Sequence, residues 1–279
     1  MTVAIAAEQT ESGWCAKLRL GYRKTAAKTV LADRFRQGPL AVQRSLYPEG
    51  DLCHTYLLHP PGGVAGGDSL DIQARVTRDA SALVTTPGAT KFYRTAAPWA
   101  HQHQTLEVTD GSLEWLPQEN ILFPGAKAEL TTSVDLYGDA VFIGWEIVCL
   151  GRPAVQERFD RGEAIFRFSL RRNDLPLLIE RLHIRDEKTV NGAAELRGKP
   201  VIGVFYATPG SDTEMQLIRQ EIAQNHCHEL GVTLVDGLLV ARYLGESTEL
   251  ARRLFTEMWK LLRPVLMKRA PCVPRIWNT

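Results

Sequence analysis

The sequence predicts a mainly β fold with two helices near the C-terminal end. Three observations carry this reading. Short segments with period-two alternation recur up to about residue 210, turn-forming residues separate them, and helical periodicity shows only beyond them. In the first segment Trp14, Ala16, Leu18 and Leu20 alternate with Cys15, Lys17 and Arg19. Residues 52–58 follow. Leu70, Ile72, Ala74 and Val76 then alternate with Asp71, Gln73, Arg75 and Thr77. Further strands are predicted at 81–86, 101–109, 128–136, 140–150, 164–171, 177–184, 200–206 and 232–243. Pro48-Glu49-Gly50, Asp110-Gly111, Tyr137-Gly138-Asp139, Arg172-Asn173-Asp174 and Pro209-Gly210 supply the turns.

The first helix opens on Ser211-Asp212-Thr213-Glu214, which has the form of a capping box. Met215, Ile218 and Ile222 follow at helical spacing, and Gly231 offers a stop. The second helix runs from about Ser247 to Lys268, with Leu250, Leu254, Met258, Leu261, Leu262 and Val265 on one face and Pro264 expected to end or kink it. Strands do not alternate regularly with helices, which disfavours a parallel α/β sheet. A sandwich or an irregular stack of sheets remains. No linker or repeat divides the chain. We expect one domain over 1–279, β-rich to 210, with a helical patch over about 211–268 and a tail over 269–279.

Composition is that of a globular protein: 279 residues, 44% hydrophobic and 23% charged. A net charge of +1 gives no electrostatic reason to expect nucleic acid or a membrane surface as partner. The N-terminal run Met1-Thr2-Val3-Ala4-Ile5-Ala6-Ala7-Glu8 lacks a basic region, so a soluble cytoplasmic protein is expected. The five cysteines, at 15, 53, 149, 227 and 272, are widely spaced, which argues against disulfides or structural zinc.

Three dense blocks fall between His54 and Ala126: His59-Pro60-Pro61-Gly62-Gly63-Val64-Ala65-Gly66-Gly67-Asp68, then Thr85 to Arg94, then Leu113 to Ala126. The glycine block lacks the Gly-Lys-Ser/Thr ending of a phosphate loop and precedes a strand, so it reads as a tight connection. His101 and His103 share one strand face, while His226-Cys227-His228 is poorly spaced for chelation. Thr85 and Thr86 precede a Pro-Gly turn. There is no nucleophile elbow. Asp68, Glu119, Glu146 and Glu180 lie in or beside apolar segments, where a carboxylate is costly unless paired or ligated. Either they pair with Lys91, Arg94, Arg152 or Arg181, or they line a polar interior passage suited to a divalent cation. Trp277, so near the terminus, suggests a docked tail.

These blocks, with Glu146 through Cys149-Leu150-Gly151-Arg152 and the ending Arg275-Ile276-Trp277-Asn278-Thr279, resemble the urease accessory protein UreD family over nearly the whole chain. The resemblance implies a flattened, helicoidal all-β stack with two helices near the C-terminus, and a non-enzymatic role in delivering nickel to apo-urease. The implied partners are accessory protein F, the accessory GTPase G and the urease subunits. No tightly bound cofactor is implied, only transient nickel(II). The positions carried over for its passage are Asp68, Thr85, Thr86, Glu146 and Glu180. Met215, Ile218, Leu254, Met258 and Trp277 are the expected contacts for the F protein. Oxygen ligands release a hydrated divalent ion more readily than thiolates. Two other functions stay open: a structural adaptor without metal passage, and a β-rich hydrolase or isomerase using Glu119 and Glu146 as a carboxylate pair.

Overall fold

A computed structural model describes residues 13–96, 98–224 and 228–278. The early strands are β1 (Cys15–Lys24), β2 (Thr29–Gln37), β3 (Ala41–Val42), β4 (Cys53–Leu58), β5 (Ser69–Val76), β6 (Ser81–Thr85), β7 (Thr90–Phe92), β8 (Ala100–Thr109) and β9 (Ser112–Leu116). Then come β10 (Asn120–Leu122), β11 (Lys127–Tyr137), β12 (Val141–Leu150), β13 (Glu163–Arg172) and β14 (Leu175–Ile184). The C-terminal part holds α1 (Glu187–Asn191), β15 (Val201–Thr208), α2 (Asp212–Gln224), β16 (Leu230–Val235), β17 (Leu238–Gly245) and α3 (Thr248–Leu266). The mainly β expectation holds.

The chain winds between two sheets. One has the order β14-β13-β11-β8-β5-β1-β2, the other β16-β17-β15-β12-β9-β6-β4-β3. From β4 to β13 the path alternates between them: β4 to β5, β6 to β8, β9 to β11, β12 to β13. Each turn therefore adds one strand to each sheet, parallel to its predecessor. The small strands β7 and β10 pair with each other beside β12. Antiparallel partners close the winding: β14 on β13, and β15 with β17 on β12. Parallel pairing thus occurs without helical crossovers, because each return stroke is itself a strand in the opposite sheet.

The period-two side-chain rule then assigns two cores. Even-numbered residues of β12, β15 and β17, such as Phe142, Val148, Tyr206 and Val240, face the space between the sheets. Odd-numbered ones, such as Trp145, Phe205 and Tyr243, face α2 and α3. Gly203 leaves room for this second layer, since a Cβ there would lie 2.9 Å from the Phe255 ring. The helices begin where the sequence places them. Ser211 N donates to Glu214 Oε2 at 2.8 Å, and Ser247 Oγ accepts from Leu250 N at 3.1 Å. Gly231 is not the stop of α2, because it belongs to β16. Pro264 lies in the last turn of α3.

Candidate functional site

Two rows of residues face each other between the sheets. Across the first, backbone pairing puts Gln104, Thr132, Phe168 and Glu180 side by side on β8, β11, β13 and β14. Across the second, it aligns Glu146, Val204 and Arg242 on β12, β15 and β17. Thr132 Oγ1 lies 2.5 Å from Glu146 Oε1 and 3.4 Å from Gln104 Oε1, so its hydrogen serves the nearer oxygen. Gln104 Oε1 accepts in addition from Trp115 Nε1 at 3.1 Å. Tyr206 stacks on Phe168 at 3.9 Å between ring centroids and donates its hydroxyl to Glu180 at 3.3 Å. Arg242 pairs with Glu180 from the opposite sheet.

Cavities flank this polar seam. One, of about 220 Å3, is lined by Gln104, Trp115, His59, Thr86 and Gln118 among others. The second, also about 220 Å3, is lined by Glu146, Glu180, Tyr206, Arg242 and the Phe166 and Phe168 rings. Gln104, Thr132 and Glu146 connect them. Burial dominates the electrostatics of Glu146 and pushes its carboxyl up to about 7. The Thr132 hydrogen bond opposes that shift, and the Glu180 charge adds to it. Glu146 is half-buried and lines the second cavity. The Tyr206 hydroxyl is raised well above the ordinary tyrosine range, first by burial and then by both carboxylates. Burial holds the His59 imidazole below its usual range, so it stands neutral at neutral pH. The seam offers hydroxyl, amide and carboxyl oxygens, which suit a hydrated divalent cation in passage. Among the described residues no three His, Cys, Asp or Glu side chains converge as a metal-holding group.

The five predicted passage residues do not share one place. Glu146 and Glu180 meet at the second cavity. Thr86 lines the first cavity, and its hydroxyl accepts from Gln118 N at 2.9 Å. Thr85 is fully buried; its Oγ1 donates to Leu116 O at 2.5 Å and accepts from Trp277 Nε1 at 2.8 Å. Both oxygens of Asp68 are engaged in the glycine block, by Trp14 N and Ala65 N at 2.8 Å each. That block is a packing hub: Gly67 has φ +91°, and a Cβ on Gly66 would lie 2.1 Å from Thr95 Oγ1.

The expected partner contacts are turned inward. Met215, Ile218, Leu254 and Met258 are buried beneath the helices. Trp277 packs between Trp145 and Trp259 at 5.7 and 6.1 Å, which docks the tail internally. An amphipathic helix on a sheet spends its apolar stripe on that sheet, which leaves the opposite face outward. Glu119 and Glu146 do not form a pair. Glu119 influences Cys149, which lies on the other face of β12 from Glu146. His226 and Cys227 lie outside the described residues.

Gln104, Thr132, Tyr206 and Arg242 escaped the sequence reading. Their signal was phase: Gln102 and Gln104 share the buried phase of β8, and Thr132 stands in register with Leu130 and Val134. The paired His101 and His103 hold the opposite phase, their rings stacked at 6.0 Å on the outer face.

No helix of the described residues is long and apolar enough to cross a membrane. The family model described as "UreD urease accessory protein" matches residues 15–278. The chain is 47% identical to the urease accessory protein UreD of Alcanivorax borkumensis, over 96% of this chain and 93% of that one. It is 44% identical to UreD of Aliivibrio fischeri strain MJ11, with 97% and 98% covered, and 45% identical to UreD of Nitrosococcus oceani, with 95% and 90% covered. With match and coverage spanning nearly its whole length, this chain belongs to the UreD family of urease accessory proteins.

Proposed function

We propose that this chain is a non-catalytic urease maturation factor. It bridges accessory proteins F and G to apo-urease and passes nickel(II) along the seam between its two sheets. The observation that carries this reading is the row Gln104, Thr132 and Glu146, whose two ends line separate cavities. A carboxyl in an otherwise apolar interior is costly unless paired or ligated, and Thr132 supplies Glu146 with a single hydrogen bond. Oxygen donors in small number hold nickel weakly enough to release it. Glu146 and Glu180 are the principal ligands in this reading, with Thr132 and Gln104 as relay donors and Thr86 at the first cavity.

The test is activation of apo-urease with accessory proteins F and G, GTP and nickel(II). Thr132→Leu, which replaces the hydroxyl and adds bulk in the seam, is expected to lower the nickel content of urease several-fold while co-purification with F is kept. Glu180→Ala is expected to act in the same direction. Full nickel loading with both variants would remove the conduit and leave the scaffold. That second reading has its own support at Asp68 and Thr85, whose polar atoms are taken up by internal hydrogen bonds.

A further inference from the structure

The seam uses none of the residues at which the sequence blocks converge. Tyr93-Arg94, Phe123-Pro124 and Arg152 come from three separate blocks, yet they line one surface cleft of about 880 Å3 together with Gln156, Glu157, Arg158, Asp160 and Arg161. Four arginines, Arg94, Arg152, Arg158 and Arg161, face it against two carboxylates, Glu157 and Asp160. Glu157 is committed to Arg152 by a two-pronged pair at 2.8 and 2.5 Å. Asp160 lies 3.6 Å from Arg161. Arg94 and Arg158 are exposed and have no carboxylate partner among the described residues.

The cleft is built before anything enters it. Gly125 N donates to Arg161 O at 2.8 Å, Thr95 N to Gly125 O at 3.1 Å, and Gly151 N to Leu122 O at 2.7 Å. Arg152 and Glu157 exchange backbone hydrogen bonds, and Phe159 anchors the loop in the core. The Tyr93 ring stands edge-on to Phe123 at 5.2 Å, and the Arg152 guanidinium lies 4.7 Å over the Phe123 face. The loops that carry the arginines are held by backbone hydrogen bonds, and arginine binds carboxylates through strong forked hydrogen bonds. Arginine beside exposed aromatic surface is the composition of protein interfaces, and Tyr93 is 41% exposed.

We infer that this cleft docks an acidic, carboxylate-bearing segment of a partner protein, with Arg94, Arg158 and Arg161 as its binding residues. The full chain is titrated into a fluorescein-labelled octaglutamate peptide at low salt, and anisotropy is followed. Wild-type chain is expected to bind, less tightly as salt rises. Arg158→Glu with Arg161→Glu is expected to weaken binding by about tenfold or more, as reversal of steering charges does. The single Arg158→Gln is expected to weaken it by less, and an unchanged thermal melt of that variant separates loss of charge from loss of fold. Reversal at Arg34 and Arg36 on β2 is the control and should leave binding unchanged. Equal loss in that control, no loss at Arg158 and Arg161, or displacement of the peptide by inorganic phosphate as readily as by unlabelled peptide would overturn the proposal.

Discussion

Glu146 interrupts a strand that is otherwise apolar on both faces, flanked by Trp145 and Ile147 toward the helices. Its own phase carries it to the seam, where Thr132 holds it and Glu180 repels its charge. The folded carboxyl titrates near 7, against an ordinary 4.5. A raised carboxyl pKa means that folding favours the neutral form. Stability is therefore flat below about 4.5, falls as pH rises through about 7, and is flat again above. Glu146→Gln keeps an acceptor for Thr132 and removes the titration. It is expected to match wild type in urea denaturation at pH 4.5 and to exceed it by about 1–3 kcal/mol at pH 8. A variant no more stable than wild type at pH 8 would show that the folded carboxylate is not penalised. The apolar setting of this residue was legible from its neighbours. Its partner Thr132 was not, because sequence gives the phase of each strand but not which strands share a register.

Helix α3 illustrates a different use of charge. Its apolar face covers Trp145 and Phe205, and Arg263 reaches past it into the chain. The fully buried Arg263 meets Glu114 through Nε at 2.8 Å and Nη2 at 3.1 Å. It also meets Glu49 through Nη1 at 2.7 Å and Nη2 at 2.8 Å, and donates to the carbonyl of Ala270. Trp259 Nε1 donates to the same Glu114 at 2.5 Å. The Glu49 and Glu114 carboxylates outweigh burial and hold the guanidinium pKa above its usual range. Arg263→Leu leaves Glu114 buried without its counter-charge and is expected to cost about 3–5 kcal/mol in urea denaturation. Adding Glu114→Gln should recover part of that loss, since the uncompensated charge is then gone. A loss below about 1 kcal/mol for Arg263→Leu would mean that the cluster contributes little. The helix itself could be read from its cap and its stripe. The staple could not, because its three charges stand at positions 49, 114 and 263, and no local pattern links them.

At the scale of the molecule, alternation along the strands reports burial but not direction. Absence of helices between strands argued against a parallel α/β sheet, and the chain pairs its strands in parallel without helical crossovers by sending every return stroke through the opposite sheet. One consequence follows for stability. Strands β12, β15 and β17 carry side chains of both cores, so the layer under α2 and α3 and the layer between the sheets share their backbone. Removing the helices would expose Trp145, Phe205 and Tyr243 on strands whose other faces line the seam. The two cores should therefore unfold together, as elements that share packing do. Phe255, fully buried on α3 and 5.8 Å from Phe205 between ring centroids, is the point at which to apply the strain. Phe255→Ala is expected to cost about 3–5 kcal/mol. Tryptophan fluorescence, to which Trp145, Trp259 and Trp277 of the helical layer contribute beside the other three tryptophans, and far-ultraviolet dichroism, reporting mainly on strands, should shift to the same lower urea midpoint. Two separated midpoints, with fluorescence lost first, would show the helical layer to be an independent unit resting on a sheet stack that stands without it.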